Sequence, residues 1–347
     1  MGELSVPAGQ AARRWPWRLA LGLGLALALA PLVLQMFTRG PGGAAMLADF
    51  EPYMKPEVIA EFQDYVATVD AGAQELQGKA RFIAASRLGM PSTTFDSEYA
   101  ALVQFEKDWP TARDDMGVLL DTIEANIGNY GSVAALPSFR LFPYFFVLPG
   151  LMIAAVAVVG LRRGRSGRST RGPARGLAVL GVALIAAPLV FQMFSRAPDG
   201  EQMLDQFRPL MNTQRITTVQ GYFVTMAGGE AAVRGQLLPA LQKAGLDDAE
   251  RRELLPASHA FTEVWTRMAN QMAPMLAAMN DNLARYEGLI ALPPFGLFPW
   301  FFVAPGVLLI LLGLVSLRPG EPADVAHPLD PDDAADPLLV PALSKEK

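Results

Sequence analysis

Ala135-Leu136-Pro137-Ser138-Phe139-Arg140-Leu141-Phe142-Pro143-Tyr144-Phe145-Phe146-Val147-Leu148-Pro149-Gly150 returns 156 residues later as Ala291-Leu292-Pro293-Pro294-Phe295-Gly296-Leu297-Phe298-Pro299-Trp300-Phe301-Phe302-Val303-Ala304-Pro305-Gly306. A second stretch, Ala30-Pro31-Leu32-Val33-Leu34-Gln35-Met36-Phe37, returns at offset 157 as Ala187-Pro188-Leu189-Val190-Phe191-Gln192-Met193-Phe194. Repetition this long, with rare residues matched, predicts a chain made of two tandem copies of one unit. The expected fold is all-α: four transmembrane helices as two tandem repeats, each carrying a helical-bundle extracytoplasmic insert.

Outward from those repeats, the apolar half of the composition, 51%, is concentrated rather than spread. Residues 19–37, 144–161, 177–194 and 300–317 contain no Asp, Glu, Lys or Arg. A helix rising ~1.5 Å per residue needs about 20 residues to cross the hydrocarbon, and one mid-span charge costs roughly 2.5–3.5 kcal/mol. With the junction prolines included, the expected spans are 19–37, 143–161, 177–194 and 299–317. The first also reads as the core of a signal peptide. Its internal counterpart at 177–194 argues against cleavage.

The arginines orient the spans. Segment 1–18 holds Arg13, Arg14 and Arg18 against Glu3, and linker 162–176 holds Arg162, Arg163, Arg165, Arg168, Arg171 and Arg175 with no acid. Short basic loops stay cytoplasmic, so both termini and the linker are expected inside a cell membrane, with inserts 38–142 and 195–298 outside. The inserts carry net charges of −7 and −2. Neither has a basic patch, which speaks against nucleic acid as a partner. The chain has no cysteine, so disulfide staples and thiol chemistry are excluded. Tail 318–347 is Pro- and Asp-rich and reads as disordered, with Leu338-Leu339-Val340-Pro341 a possible docking peptide.

Each insert is expected to form its own bundle of roughly a hundred residues. Arg39-Gly40-Pro41-Gly42-Gly43 and Arg196-Ala197-Pro198-Asp199-Gly200 read as helix breaks after the first and third spans. The offset changes from 157 at Tyr65/Tyr222 to 156 at Gly89/Gly245, and Gly228-Gly229 is the expected site of the missing residue. Asp247 and Glu250 fit a capping box. Trp15 and Trp17 on one side, and the rings around Phe142 and Phe298 on the other, fit membrane-interface belts.

Few residues invite chemistry. Met268, Met272, Met275 and Met279 form a helical stripe that suits Cu(I), but their counterparts are Ala112, Met116, Leu119 and Ile123, which argues for packing. His259 corresponds to Val103 and fits the edge of a core; the only other histidine, His327, lies in the tail. Asp114, Asp115, Asp121 and Glu124 correspond to Asn270, Gln271, Ala277 and Asn280, so no carboxylate pair is kept in both copies and a solvated face is expected. No catalytic, cofactor-binding or metal-binding residue is assigned. Gln35 and Gln192 are the notable polar groups inside the spans, suited to interhelical hydrogen bonds or a polar pocket. Trp109 and Trp265 are matched aromatic anchors that could flank a groove between the inserts.

The Leu-Pro…Pro-(aromatic) junctions at 136–150 and 292–306 resemble those of actinobacterial multi-pass membrane proteins with helical outer domains. That resemblance implies the architecture alone; for function the guide is a duplicated, charge-free membrane region joined to soluble domains that lack catalytic groups. The expected function is therefore non-enzymatic: binding of an envelope protein or a lipid through the paired outer domains, with membrane lipids as constant partners and no cofactor. The alternative is an accessory subunit or small transporter for a lipid or other apolar solute.

Overall fold

The computed structural model describes residues 14–317. Residues 1–13 and the whole of 318–347, including Leu338-Leu339-Val340-Pro341 and the expected disordered tail, lie outside the described residues. The described part is helical, with no strand. Its first half runs α1 (Trp15–Val33), α2 (Met36–Phe50), α3 (Pro56–Glu75), a π turn (Leu76–Ala80), α4 (Arg81–Leu88), α5 (Ser92–Glu98), α6 (Ala100–Ala125), α7 (Ile127–Ala134) and α8 (Tyr144–Arg165). The second half runs α9 (Arg171–Val190), α10 (Met193–Phe207), α11 (Thr213–Ala232), a π turn (Val233–Leu237), α12 (Leu238–Lys243), α13 (Asp248–Leu254), α14 (Pro256–Asp281), α15 (Leu283–Ile290), a 3₁₀ turn (Phe295–Leu297) and α16 (Trp300–Leu317).

Four helices, α1, α8, α9 and α16, are long and apolar enough to cross a membrane. They pair tightly within each half, α1 on α8 and α9 on α16. Small residues make this possible, as expected where lipid supplies no hydrophobic drive between helices. A Cβ at Gly24 would lie 2.7 Å from Ala154 N and from Gly150 O, and one at Gly181 would lie 2.5 Å from Gly306 O. Trp17 packs on Gly160, and Gly313 on Ala174. The start of α1, the end of α8, the start of α9 and the end of α16 therefore share one end of the bundle. Trp17 is buried, so only Trp15 of the expected inner belt is exposed.

The first and third spans stop earlier than the sequence suggests, at Val33 and Val190. Pro31 and Pro188 remove a donor in the last turns. Leu34 N still donates to Ala30 O, Gln35 N donates to Leu32 O, and Gln35 then turns left-handed at φ 54°, ψ 32°. Gln192 does the same at φ 53°, ψ 36°. The next helix starts at once, so Arg39-Gly40-Pro41-Gly42-Gly43 and its counterpart lie inside α2 and α10 rather than breaking them. Glycine there serves packing: a Cβ at Gly40 would meet Phe139 O at 2.5 Å.

Beyond the spans the halves exchange partners. Helix α3 packs most extensively on α14, α11 on α6, α2 on α15, and α10 on α7. Segments 38–142 and 195–298 thus bury one shared core rather than two separate bundles. Gly72 lies against Phe261 and Gly229 against Phe105, where a Cβ would come to 2.9 and 2.5 Å. The pair Gly228-Gly229 therefore sits in unbroken helix at a crossing. Both π turns keep offset 157 and the left-handed stops Gly89 and Gly245 keep 156, so the missing residue falls in α12. The Asp247–Glu250 capping box is present at the start of α13.

Candidate functional site

The four residues singled out by sequence do not meet. The Gln35 and Gln192 side chains are exposed, and it is their main chains that act. Each carbonyl accepts the hydroxyl three residues on, Thr38 Oγ1 at 2.9 Å and Ser195 Oγ at 3.0 Å. Trp109 is buried, and its indole N–H donates to Asp70 Oδ1 at 2.8 Å. Trp265 is half-buried beside Phe223, ring centroids 6.2 Å apart. The residue matching Asp70 is Ala227, so the second indole has no such acceptor. Each tryptophan serves the contact between helices of its own half, and neither lines the cavities described below.

What the fold does bring together is one face of α2 and one face of α10, which line the same cavities along the contact between the halves. Along that contact, residues 156 positions apart touch their own counterparts: Phe146 with Phe302 at 4.7 Å between ring centroids, Phe142 with Phe298 at 5.2 Å, Phe139 with Phe295 at 6.3 Å, and Phe105 stacked on Phe261 at 5.4 Å. Two apolar cavities lie on this line. One of about 40 Å³, at the span ends, is lined by Met36 and Met193, Leu136 and Leu292, Phe139 and Phe295, and Phe142 and Phe298. The other, about 50 Å³ and farther out, is lined by Met46 and Met203, Leu47 and Leu204, Phe50 and Phe207, Met54 and Met211, and Tyr130 and Tyr286, with Met275 and Met279.

No family model, curated protein or solved structure matches the chain. Tyr130 and Tyr286 donate their hydroxyls to Leu47 O and Leu204 O, at 2.9 and 2.7 Å, and turn only ring carbon to the cavity. Burial pushes both phenols above their ordinary pKa. Six thioethers line the outer cavity. Unbranched and polarizable, methionine repacks readily around foreign apolar shapes. Met268 and Met272, the rest of the stripe, are fully buried core. Helix face and repeat offset together mark Met46/Met203 and Met54/Met211, a signal present in the sequence and missed by reading the stripe on α14 alone.

A lateral cleft of about 110 Å³ adjoins both cavities. It shares Leu204 with the outer one and Leu289, Leu292 and Phe295 with the inner one, and Glu201, Asp205 and Arg208 stand along it. Glu201 accepts from Gly296 N at 3.0 Å, and Asp205 pairs with Arg208 at 2.9 Å.

Polar groups close the rest of the contact between the halves. Asn126 and Asn282, both fully buried, donate to Gln206 Oε1 and Asp49 Oδ2, which are themselves matched positions. Arg39 and Arg196 donate to Ala291 O and Ala135 O. Asp115, expected on a solvated face, instead accepts from Tyr222 and Arg215, which hold its carboxyl below the ordinary range; Tyr222 is pushed up to about 12, chiefly by burial. Glu124 accepts from Gln63 across the same bundle. These carboxylates are occupied by cross-helix bonds, and none opens on a cavity. Among the described residues no group of three or more His, Asp or Glu is placed to hold a metal ion.

Proposed function

We propose that this protein is a duplicated multi-pass protein of the cell membrane that takes the apolar chain of an envelope lipid into the seam between its two halves. The observation that carries this is the continuous apolar face of α2 and α10. It runs from the span ends into the outer core and holds both cavities on one line. Volume argues for a site that opens: a void of ~150 Å³ admits benzene, and the cavities here are each well below that. The methionine lining, unbranched and adaptable, is what lets the outer cavity enlarge around an apolar chain. The duplication is supported by the matched element order and the self-paired phenylalanines, which fit a two-fold axis along the membrane normal. The arginine content of the α8–α9 turn supports a cytoplasmic location for that end and an outer location for the shared core.

The test is retention of lipid by the intact purified chain, read by mass spectrometry after photo-cross-linking with a diazirine-bearing acyl chain. Cross-links on α2 and α10 at Met46, Met203 or Leu47 are expected. Met46→Trp with Met203→Trp should remove them while helical content stays unchanged. Cross-links confined to the lipid-facing sides of α1, α8, α9 and α16 would overturn the proposal.

The cleft beside Leu204 and Leu292 favours a second reading, transfer of the lipid or another apolar solute rather than storage. Transfer between vesicles that depends on Leu292 would select it.

A further inference from the structure

We propose that the arginine-bearing end of the four spans is a binding surface for anionic phospholipid headgroups. Eight arginines gather there: Arg14 and Arg18 on the start of α1, Arg162, Arg163 and Arg165 on the last turn of α8, Arg168 in the turn, and Arg171 and Arg175 on the first turns of α9. All but the half-buried Arg14 are exposed. Among the described residues none of the eight stands within ion-pair distance of a carboxylate. Arginines of the opposite domain are treated differently: Arg81 meets Asp96 and Glu106, Arg215 meets Asp115, Arg252 meets Asp248 and Glu263, and Arg285 meets Asp49. Among the described residues the arginine-bearing end holds no ion pair, whereas the opposite domain pairs several of its arginines.

Position decides the partner. The arginines sit on the turns that directly continue the apolar spans, whose charge-free runs end at Leu161 and begin at Leu177, so their guanidinium groups lie at headgroup depth. Helices α8 and α9 are joined by only five residues, and Arg163 Nη1 lies 3.8 Å from where a Cβ on Gly172 would stand. Cations of two helices are thereby held over one patch. Guanidinium forks pair with the two free oxygens of a phosphodiester in parallel bonds. The surface potential of an anionic leaflet adds attraction for every basic residue beside a span.

The experiment uses the full chain in nanodiscs of equal phosphatidylglycerol and phosphatidylcholine, with bound lipid counted by native mass spectrometry after detergent exchange. Phosphatidylglycerol should be retained over phosphatidylcholine, and less so as salt rises. Each arginine replaced should weaken retention about fivefold. The triple variant Arg162→Gln/Arg163→Gln/Arg165→Gln should therefore lose on the order of a hundredfold, with unchanged helical content, since all three side chains are exposed. Equal retention of the two lipids, or a triple variant that keeps its phosphatidylglycerol, would overturn the proposal. So would displacement by inorganic phosphate at matched concentration, which would mark a soluble-anion site. Binding that appears only after removal of 318–347 would assign the patch to that acidic segment and likewise overturn it.

Discussion

Gln35 and Gln192 carry the only left-handed non-glycine backbone among the described residues, at matched places where a membrane-length helix hands over to the shared helical core. A side chain in that region costs roughly 1–2 kcal/mol, most for β-branched residues. Gln35→Gly should leave the detergent-solubilised protein as stable or raise its unfolding temperature, whereas Gln35→Val should lower stability by about 1–2 kcal/mol. Equal effects of the two would show that the joint is not strained. His259 is a second single-residue case. It is buried with Nε2 unpartnered, and burial holds its pKa below the ordinary 6.5. A depressed pKa contributes stability that is present above the unfolded value and lost as pH falls through the folded one. Acidification below about 6.5 should destabilise the outer core. His259→Val, which installs the residue found at matched position 103, should flatten that part of the pH–stability curve measured by denaturant unfolding. Tyr222 works in the opposite sense: its stabilisation is complete below pH 10 and lost as pH rises toward about 12. Tyr222→Phe should abolish that alkaline loss.

At the scale of elements, close approach separates glycines that look alike in sequence. Gly22 and Gly24 share α1, yet a Cβ on Gly22 meets nothing within 4 Å, while one on Gly24 strikes the backbone of α8. Gly24→Ala should destabilise the α1–α8 pair by about 1–3 kcal/mol, as overpacking does, whereas Gly22→Ala should be neutral or slightly stabilising. Thermal unfolding of both variants in the same detergent checks this. The elements themselves were largely legible. Charge-free length gave the four membrane-length helices, and Asp247 with Glu250 gave the start of α13, because both signals are local. Arg39-Gly40-Pro41-Gly42-Gly43 misled for a physical reason. Glycine and proline together usually end a helix, but here one missing donor in an early turn is tolerated because Gly40 and Gly43 let α2 lie against Phe139 and Leu289. The true break, at Gln35, has no glycine to announce it.

At the scale of the molecule, periodicity shows which face of a helix is buried but not which helix covers it. The apolar face of α3 fits α6 of its own half as well as α14 of the other, so the shared core could not be read from sequence. For the same reason Trp109 and Trp265 looked like walls of a groove between two bundles, while the cavities along the phenylalanine line went unseen. The exchange of partners has a consequence that separate bundles would not have. Cut within the turn at 166–170, each half keeps its paired spans but loses the cover of its outer helices, exposing Phe105, Phe261 and the faces that bury Leu119 and Met275. The outer core depends on both, through burial worth roughly 1.5–3 kcal/mol for each large side chain. Halves co-expressed as two chains should co-purify and reproduce the cooperative unfolding of the intact protein. Either half alone should aggregate or pair with a second copy of itself, using Phe105 against Phe105 in place of Phe105 against Phe261. Co-purification followed by light scattering distinguishes these outcomes. A single half that remained monomeric and unfolded cooperatively would show that each insert closes its own core and that the exchanged contacts are dispensable.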